Sequence, residues 1–153
     1  MRIEHILKTN SNIALSKSVI VNLLYTHGIV IAELNKVLKP HDLSLQQFNV
    51  LRILRGQNGK PICLSVVQDR MISKMSNTTR LVDKLIIKNL VTKQINTKNK
   101  RKIDISITKD GLTLLSTIDG LISGKEDEIA GNLTKEEASE IVRLLGKLRL
   151  IAN

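Results

Sequence analysis

Met71–Thr108, MISKMSNTTRLVDKLIIKNLVTKQINTKNKRKIDISIT, is the stretch whose reading decides the fold. It opens on small hydroxyl and amide side chains (Ser73, Ser76, Asn77, Thr78, Thr79) and an arginine, Arg80. An apolar set then recurs at helical spacing (Leu81, Val82, Leu85, Ile86), which predicts a helix with a polar first half, Val82, Leu85 and Ile86 facing a core. Asn89 stands where that helix should stop, and asparagine tolerates the left-handed conformation of a C′ position. Beyond it, Val91, Lys93 and Ile95 alternate, a basic tip follows (Lys98-Asn99-Lys100-Arg101-Lys102), and Ile103, Ile105 and Ile107 alternate again. Period two on both sides of a polar tip predicts a β-hairpin.

Upstream, the spacing of Val19, Ile20, Leu23, Leu24, His27, Val30, Ile31, Leu34, Val37 and Leu38 predicts a helix from Ile13 that stops at Pro40. A helix of about 24 residues is about 36 Å long. Its broad apolar stripe exceeds what a small domain can cover, and a second copy of the chain is the simplest cover. Ser44 and Gln47 have capping-box spacing ahead of Phe48, Leu51 and Leu54, and the 56–61 segment breaks that helix. Leu64, Val67 and Met71 predict a third, short helix. Two short helices joined by a tight turn, the second polar at its start, form a helix-turn-helix. Downstream, Thr108 can cap a helix carrying Leu112, Leu115, Ile118, Leu121 and Ile122, loosened in its middle by Gly120 and Gly124. A last helix opens at a second capping box, Thr134 and Glu137. The fold class is mainly α (α+β), a winged helix-turn-helix between long N- and C-terminal helices.

The chain has 153 residues and a formal charge of +10. Thirteen Lys or Arg lie between Arg52 and Lys102 against two acids, Asp69 and Asp83, a local +11; the remaining eleven basic and twelve acidic residues leave −1. A charge excess confined to the middle third fits a phosphate-facing surface, and also a solvated lysine-rich face. Tyr25 and Phe48 are the whole aromatic complement, which argues against a stacking platform for single-stranded nucleic acid.

The major groove of B-DNA admits a helix, whose short polar side chains and arginines read base edges. Ser76, Asn77, Thr79 and Arg80 suit that task, with Lys74 and Lys84 beside them; the hydroxyls and the amide can equally serve only as helix caps. Lys98, Lys100, Arg101 and Lys102 supply long cations at the wing tip, and Arg101 alone has the planar fork suited to a narrow minor groove. An exposed, solvated hairpin tip is the plain alternative.

Taken together, SKMSNTTRLVDKLIIKNLV (73–91) resembles the recognition helix, and NTKNKRKIDISITKDG (96–111) the wing, of the MarR family of transcriptional regulators. The resemblance implies a winged helix-turn-helix over 43–108, flanked by dimerisation helices at 1–40 and 109–153. It further implies a homodimer on double-stranded, pseudo-palindromic operator DNA, repression as the commoner output, and release by a small-molecule effector. Asn89 replaces the family's usual glycine, Asn96 and Asn99 stand where acids are common, and Lys100 stands for the first wing arginine, so Arg101 alone keeps that pattern. The family's second wing acid orients the arginine, and Asn99 can offer only a neutral hydrogen bond.

Other chemistry is thinly represented. Cys63 excludes an intrachain disulfide framework, and an inert thiol suits it better than the redox cysteine that some family members carry in the first helix. His5, His27 and His41 lack ligand-like spacing, so neither a metal nor a cofactor is expected. Tyr25 and His27 fall near where family members bind small aromatic acids, though packing or interface roles fit them better. No nucleophile elbow, phosphate-binding glycine loop or acid pair suggests an enzyme, and one built on Cys63 would have no other support. No signal peptide is legible, and Lys17, Asn22, His27, Glu33 and Asn35 interrupt the first apolar helix against a membrane span. A cytoplasmic DNA-binding regulator is the expectation; the rival is a winged-helix module offering its basic face to an acidic protein partner.

Overall fold

The computed structural model describes residues 13–97 and 99–152. Helix α1 runs Leu15–Leu38 and passes into a 3-10 turn, Lys39–His41, that carries Pro40 near its start. Asp42 then takes a left-handed conformation (φ 51°), which turns the chain back. Helix α2, Leu45–Arg55, starts on the expected capping box: Ser44 Oγ accepts from the Gln47 N–H and Gln47 Oε1 from the Ser44 N–H. Asn35 Oδ1 accepts from the Leu45 N–H at 3.2 Å, so the side of α1 holds the head of α2.

Then come β1 (Ile62–Cys63), α3 (Leu64–Arg70), α4 (Thr78–Ile87), β2 (Val91–Ile95), β3 (Ile103–Ile107), α5 (Lys109–Ala130) and α6 (Lys135–Leu148), with a 3-10 turn over Arg149–Ala152. The three strands are antiparallel in the order β1-β3-β2, with Val91 opposite Ile107, Lys93 opposite Ile105 and Ile95 opposite Ile103. Strand β1 is absent from the sequence reading. Two residues carry no periodicity, and this strand exists only because Ile62 and Cys63 find Ile105 and Asp104 across the sheet, some forty positions on.

One core holds these elements. Phe48, Val50, Leu51 and Leu54 of α2 meet Leu34 and Leu38 of α1, Val67 and Met71 around α3, Val82 and Leu85 of α4, Leu90, Val91 and Ile105 of the hairpin, and Leu115, Ile118 and Ile122 of α5. Arg55 and Asp119 join α2 to α5 by a two-pronged ion pair on the surface of this body. Helix α5 runs unbroken through Gly120 and Gly124, against the expected loosening; nothing stands within 4 Å of a Cβ at either site, so both lie on open helix surface.

Helix α4, the β2–β3 hairpin and α5 meet at one joint. Asn89 is left-handed as expected (φ 57°), and the Leu90 N–H donates to the Leu85 carbonyl. The Thr108 hydroxyl donates to the Asn89 carbonyl at 2.8 Å and accepts from the Gly111 N–H at 3.0 Å, while the Thr108 N–H donates to the Leu90 carbonyl at 3.1 Å. A Cβ on Gly111 would sit 2.4 Å from the Leu90 carbonyl oxygen, so only glycine lets α5 seat this closely.

Outside this body the apolar surface changes character. Leu15, Ile20, Leu24 and Ile29 of α1 are exposed, as are Leu133, Ile141, Val142 and Leu144 around α6, a helix with no buried residue among those described. Tyr25 and His27 are exposed on α1 rather than packed within the chain. By length and apolar composition alone Leu15–His41 could cross a membrane, but Leu34 and Leu38 at its C-terminal end are buried in the core.

Candidate nucleic-acid interface

Helix α4 is the organising element. Val82 and Leu85 are buried, so helical periodicity turns Thr79, Arg80, Asp83 and Lys84 outward. Asn77 is the N-cap: its Oδ1 accepts from the Arg80 N–H at 3.0 Å, which leaves the amide NH2 as its outward group. Thr78, which the sequence offers as one more polar residue of the helix start, is buried, and its hydroxyl donates to Gln68 Oε1 of α3. Ser76 is half-buried, its N–H donating to the Ser73 carbonyl. Lys74 is exposed and its ammonium donates to the Asp69 carbonyl, while Gln68 Nε2 donates to the Lys74 carbonyl at 3.1 Å. Gln68 and Lys74 thereby close the turn between α3 and α4 and set the angle at which α4 leaves the body.

Ser76, Asn77, Arg80 and Lys84, with Leu81 and Gln46 of α2, line an open concavity of about 360 Å³. Gln46 is the residue that sequence reading passed over. Its signal was its place in the first turn of α2, two residues after the cap residue Ser44, and it was absorbed into the capping pattern around Ser44 and Gln47.

The wing projects beside this helix. Its tip closes through the Asn96 N–H to the Lys102 carbonyl (3.0 Å) and the Lys102 N–H to the Asn99 carbonyl (2.8 Å), and Lys100, Arg101 and Lys102 are exposed. Lys98 lies outside the described residues. Asn99 does use a neutral hydrogen bond near the arginine, but on the backbone: its Oδ1 accepts from the Arg101 N–H at 3.1 Å.

Electrostatics separates the cations into two groups. Asp83 pairs with Lys93 of β2 at 3.6 Å, which neutralises the acid on the outer face of α4 and ties helix to wing. Lys88 pairs with Asp42 at 2.8 Å, and the Asp42 carboxyl is held below its ordinary range by that hydrogen bond and charge. Among the described residues Arg80, Lys84, Lys100, Arg101 and Lys102 form no ion pair. Cys63 donates to Asp104 Oδ1 at 3.3 Å, and this bond, with partial burial, pushes the thiol pKa up, which disfavours the thiolate that oxidation chemistry requires.

A MarR family profile matches residues 43–103. The regulator MhqR of Bacillus subtilis is 28% identical over 119 residues, 78% of this chain and 81% of that protein. A MarR-like transcription regulator from Bacillus cereus superposes with a TM-score of 0.81 at 23% identity, covering 90% of this chain and 98% of that one. A mutant of Escherichia coli MarR in complex with operator DNA superposes with a TM-score of 0.75 at 24% identity, covering 82% of this chain and 89% of that one.

Proposed function

The chain belongs to the MarR family, matched over its winged helix, and on that premise we propose a cytoplasmic transcriptional regulator that binds double-stranded DNA as a homodimer. One observation carries the reading: the cations that form no ion pair among the described residues on α4 and the wing, Arg80 and Lys84 with Lys100, Arg101 and Lys102, belong to the two elements that a winged helix presents to duplex DNA. Helix α4 enters the major groove, where Ser76, Thr79 and Arg80 meet base edges and the Asn77 amide donates outward; Lys74 and Lys84 meet phosphates. Arg101 enters the adjacent minor groove, and Lys98, Lys100 and Lys102 take phosphates. Gln46 joins the helix contacts from the far side of the concavity.

The exposed apolar residues of α1 and α6 support a dimer surface, the role proposed for residues 1–40 and 109–153. Two copies then read half-sites whose centres lie about 34–36 Å apart. An effector that changes this separation releases the DNA; a groove of about 360 Å³ between α1 and α2, lined by Asn35, Lys39, Asp42, Leu43, Ser44 and Gln47, supports a small-molecule effector. Repression is the proposed output.

A gel-shift titration against the DNA upstream of the protein's own gene, with random duplex as competitor, tests this. The expected result is preference for the upstream DNA, with log Kd changing by about 0.9 per phosphate contact for each log unit of salt. Arg101→Ala should weaken every duplex alike. Arg80→Ala should also relax base preference by about 1–3 kcal/mol, and is a cleaner probe than Asn77→Ala, which removes a helix cap as well. Equal, weak, salt-insensitive binding to all duplexes would sink the reading in favour of an acidic protein partner.

A further inference from the structure

We propose that Asp104 and Asn96 are positioning residues for Arg101, holding the wing tip in its DNA-binding shape before DNA arrives; this rests on the DNA-binding reading above. Asp104 lies on β3, paired across the sheet with Gln94 on one side and Cys63 on the other. Both its oxygens accept from Asn96 Nδ2, at 3.0 and 2.9 Å, and Oδ1 also accepts from the Cys63 thiol.

The chemistry then fixes the direction of every following link. An ionised carboxylate can only accept, so Asn96 must turn its NH2 toward the sheet and its carbonyl oxygen toward the tip. That oxygen accepts from the Asn99 N–H at 2.7 Å, and Asn99 Oδ1 in turn accepts from the Arg101 N–H at 3.1 Å. A relay of three side chains therefore runs from a charged anchor in the sheet to the backbone of the wing arginine.

Asp104 otherwise looks misplaced. Aspartate is depleted in strands, and a negative charge in a basic wing weakens attraction for phosphate. Both costs make sense if the carboxylate is spent on Asn96. A charge-assisted hydrogen bond is roughly twice as strong as a neutral one, and the seven-residue tip, Asn96 to Lys102, contains no apolar side chain that could order it by burial. A tip ordered in advance loses less conformational freedom on binding, and the difference appears as affinity.

The test uses the full chain and two readouts, amide hydrogen exchange at Asn99 and Arg101 without DNA, and affinity for the upstream duplex. Asn96→Asp removes the donor and sets two carboxylates face to face. We expect faster exchange at those two amides, about tenfold weaker duplex binding and an unchanged melting temperature. The swap, Asn96→Asp with Asp104→Asn, restores a donor facing an acceptor with the carboxylate now nearer the tip, and should recover both readouts. A merely space-filling pair would not be rescued by that exchange. Unchanged exchange in Asn96→Asp overturns the relay. Changed exchange with unchanged affinity, in a protein whose Arg101→Ala variant has lost affinity, overturns the positioning role and leaves the DNA-binding reading standing. If the wild-type chain binds no duplex, that control fails first and both proposals fall with it.

Discussion

The winged-helix body and the two terminal arms are built from similar apolar residues and treat them in opposite ways. Within the body, Leu38, Phe48, Val50, Leu51, Leu85, Ile105, Leu115 and Ile118 are each exposed by 2% or less. Among the described residues of 13–33 and 123–150 none is buried, although Leu15, Leu24, Val142 and Leu150 are as apolar as anything in the core. The first region buries its apolar residues within one chain. The second leaves its apolar faces open, and its helices persist through capping and continuity with the body: Thr134 and Glu137 cap α6 reciprocally, and α1 is anchored at its C-terminal end, where Leu34 and Leu38 enter the core and Asn35 holds the head of α2. Burial is therefore the line along which variants should divide.

The sharpest contrast comes from Phe48, whose buried ring lies under the Arg52 guanidinium at 5.7 Å. Phe48→Ala should cost about 3–5 kcal/mol in chemical denaturation, enough to unfold a marginal chain. An equal loss from Leu24→Ala would erase the distinction between body and arms within one chain.

A smaller effect, of a different kind, is expected from Ile20→Glu. It should leave helix content by circular dichroism intact while weakening self-association by more than about tenfold, read by sedimentation. An unchanged mass across the concentration range would mean that this face of α1 does not join copies.

Acid should have the least effect. Glu33, Asp42 and Glu140 are each held below their ordinary pKa, chiefly by hydrogen bonds from Lys36, Lys88 and Arg143. Each contributes stability above its unfolded pKa, about 4, and loses it as pH falls through the lower folded value. Asp42 and Glu140 are exposed and Glu33 is half-buried on the surface, so melting curves taken on either side of about pH 4 should differ only slightly, and less in high salt. A large acid transition would point to carboxylates outside these three.

What was legible in the sequence was local. Ser44 with Gln47, Thr134 with Glu137, and Thr108 all cap where their spacing said they would, because a capping bond spans three residues and needs no tertiary partner. Asn89 was legible for the same reason. What the sequence did not show depends on distant partners. Strand β1 is made by β3, the Thr78 hydroxyl finds Gln68 of another helix, and Gln46 reaches the concavity only once α2 and α4 have packed. The loosening expected at Gly120 and Gly124 is absent because α5 stays continuous through both. Asn77 shows the middle case: its residue type allowed a cap or a base contact, and the fold gives its oxygen to the cap while leaving its nitrogen outward.

The Thr108 joint has a mechanical consequence. With the Thr108 hydroxyl bonded to both Asn89 and Gly111, and no room for even a methyl group between Gly111 and Leu90, α4 and α5 are welded rather than hinged. Helix α5 spans 22 residues, a lever arm of about 33 Å. Leaning it by about 6° displaces one end relative to the other by ~3.4 Å, the rise of a single base step. The direction in which α4 points can thus be steered from the far end of α5 with every side chain of α4 left untouched.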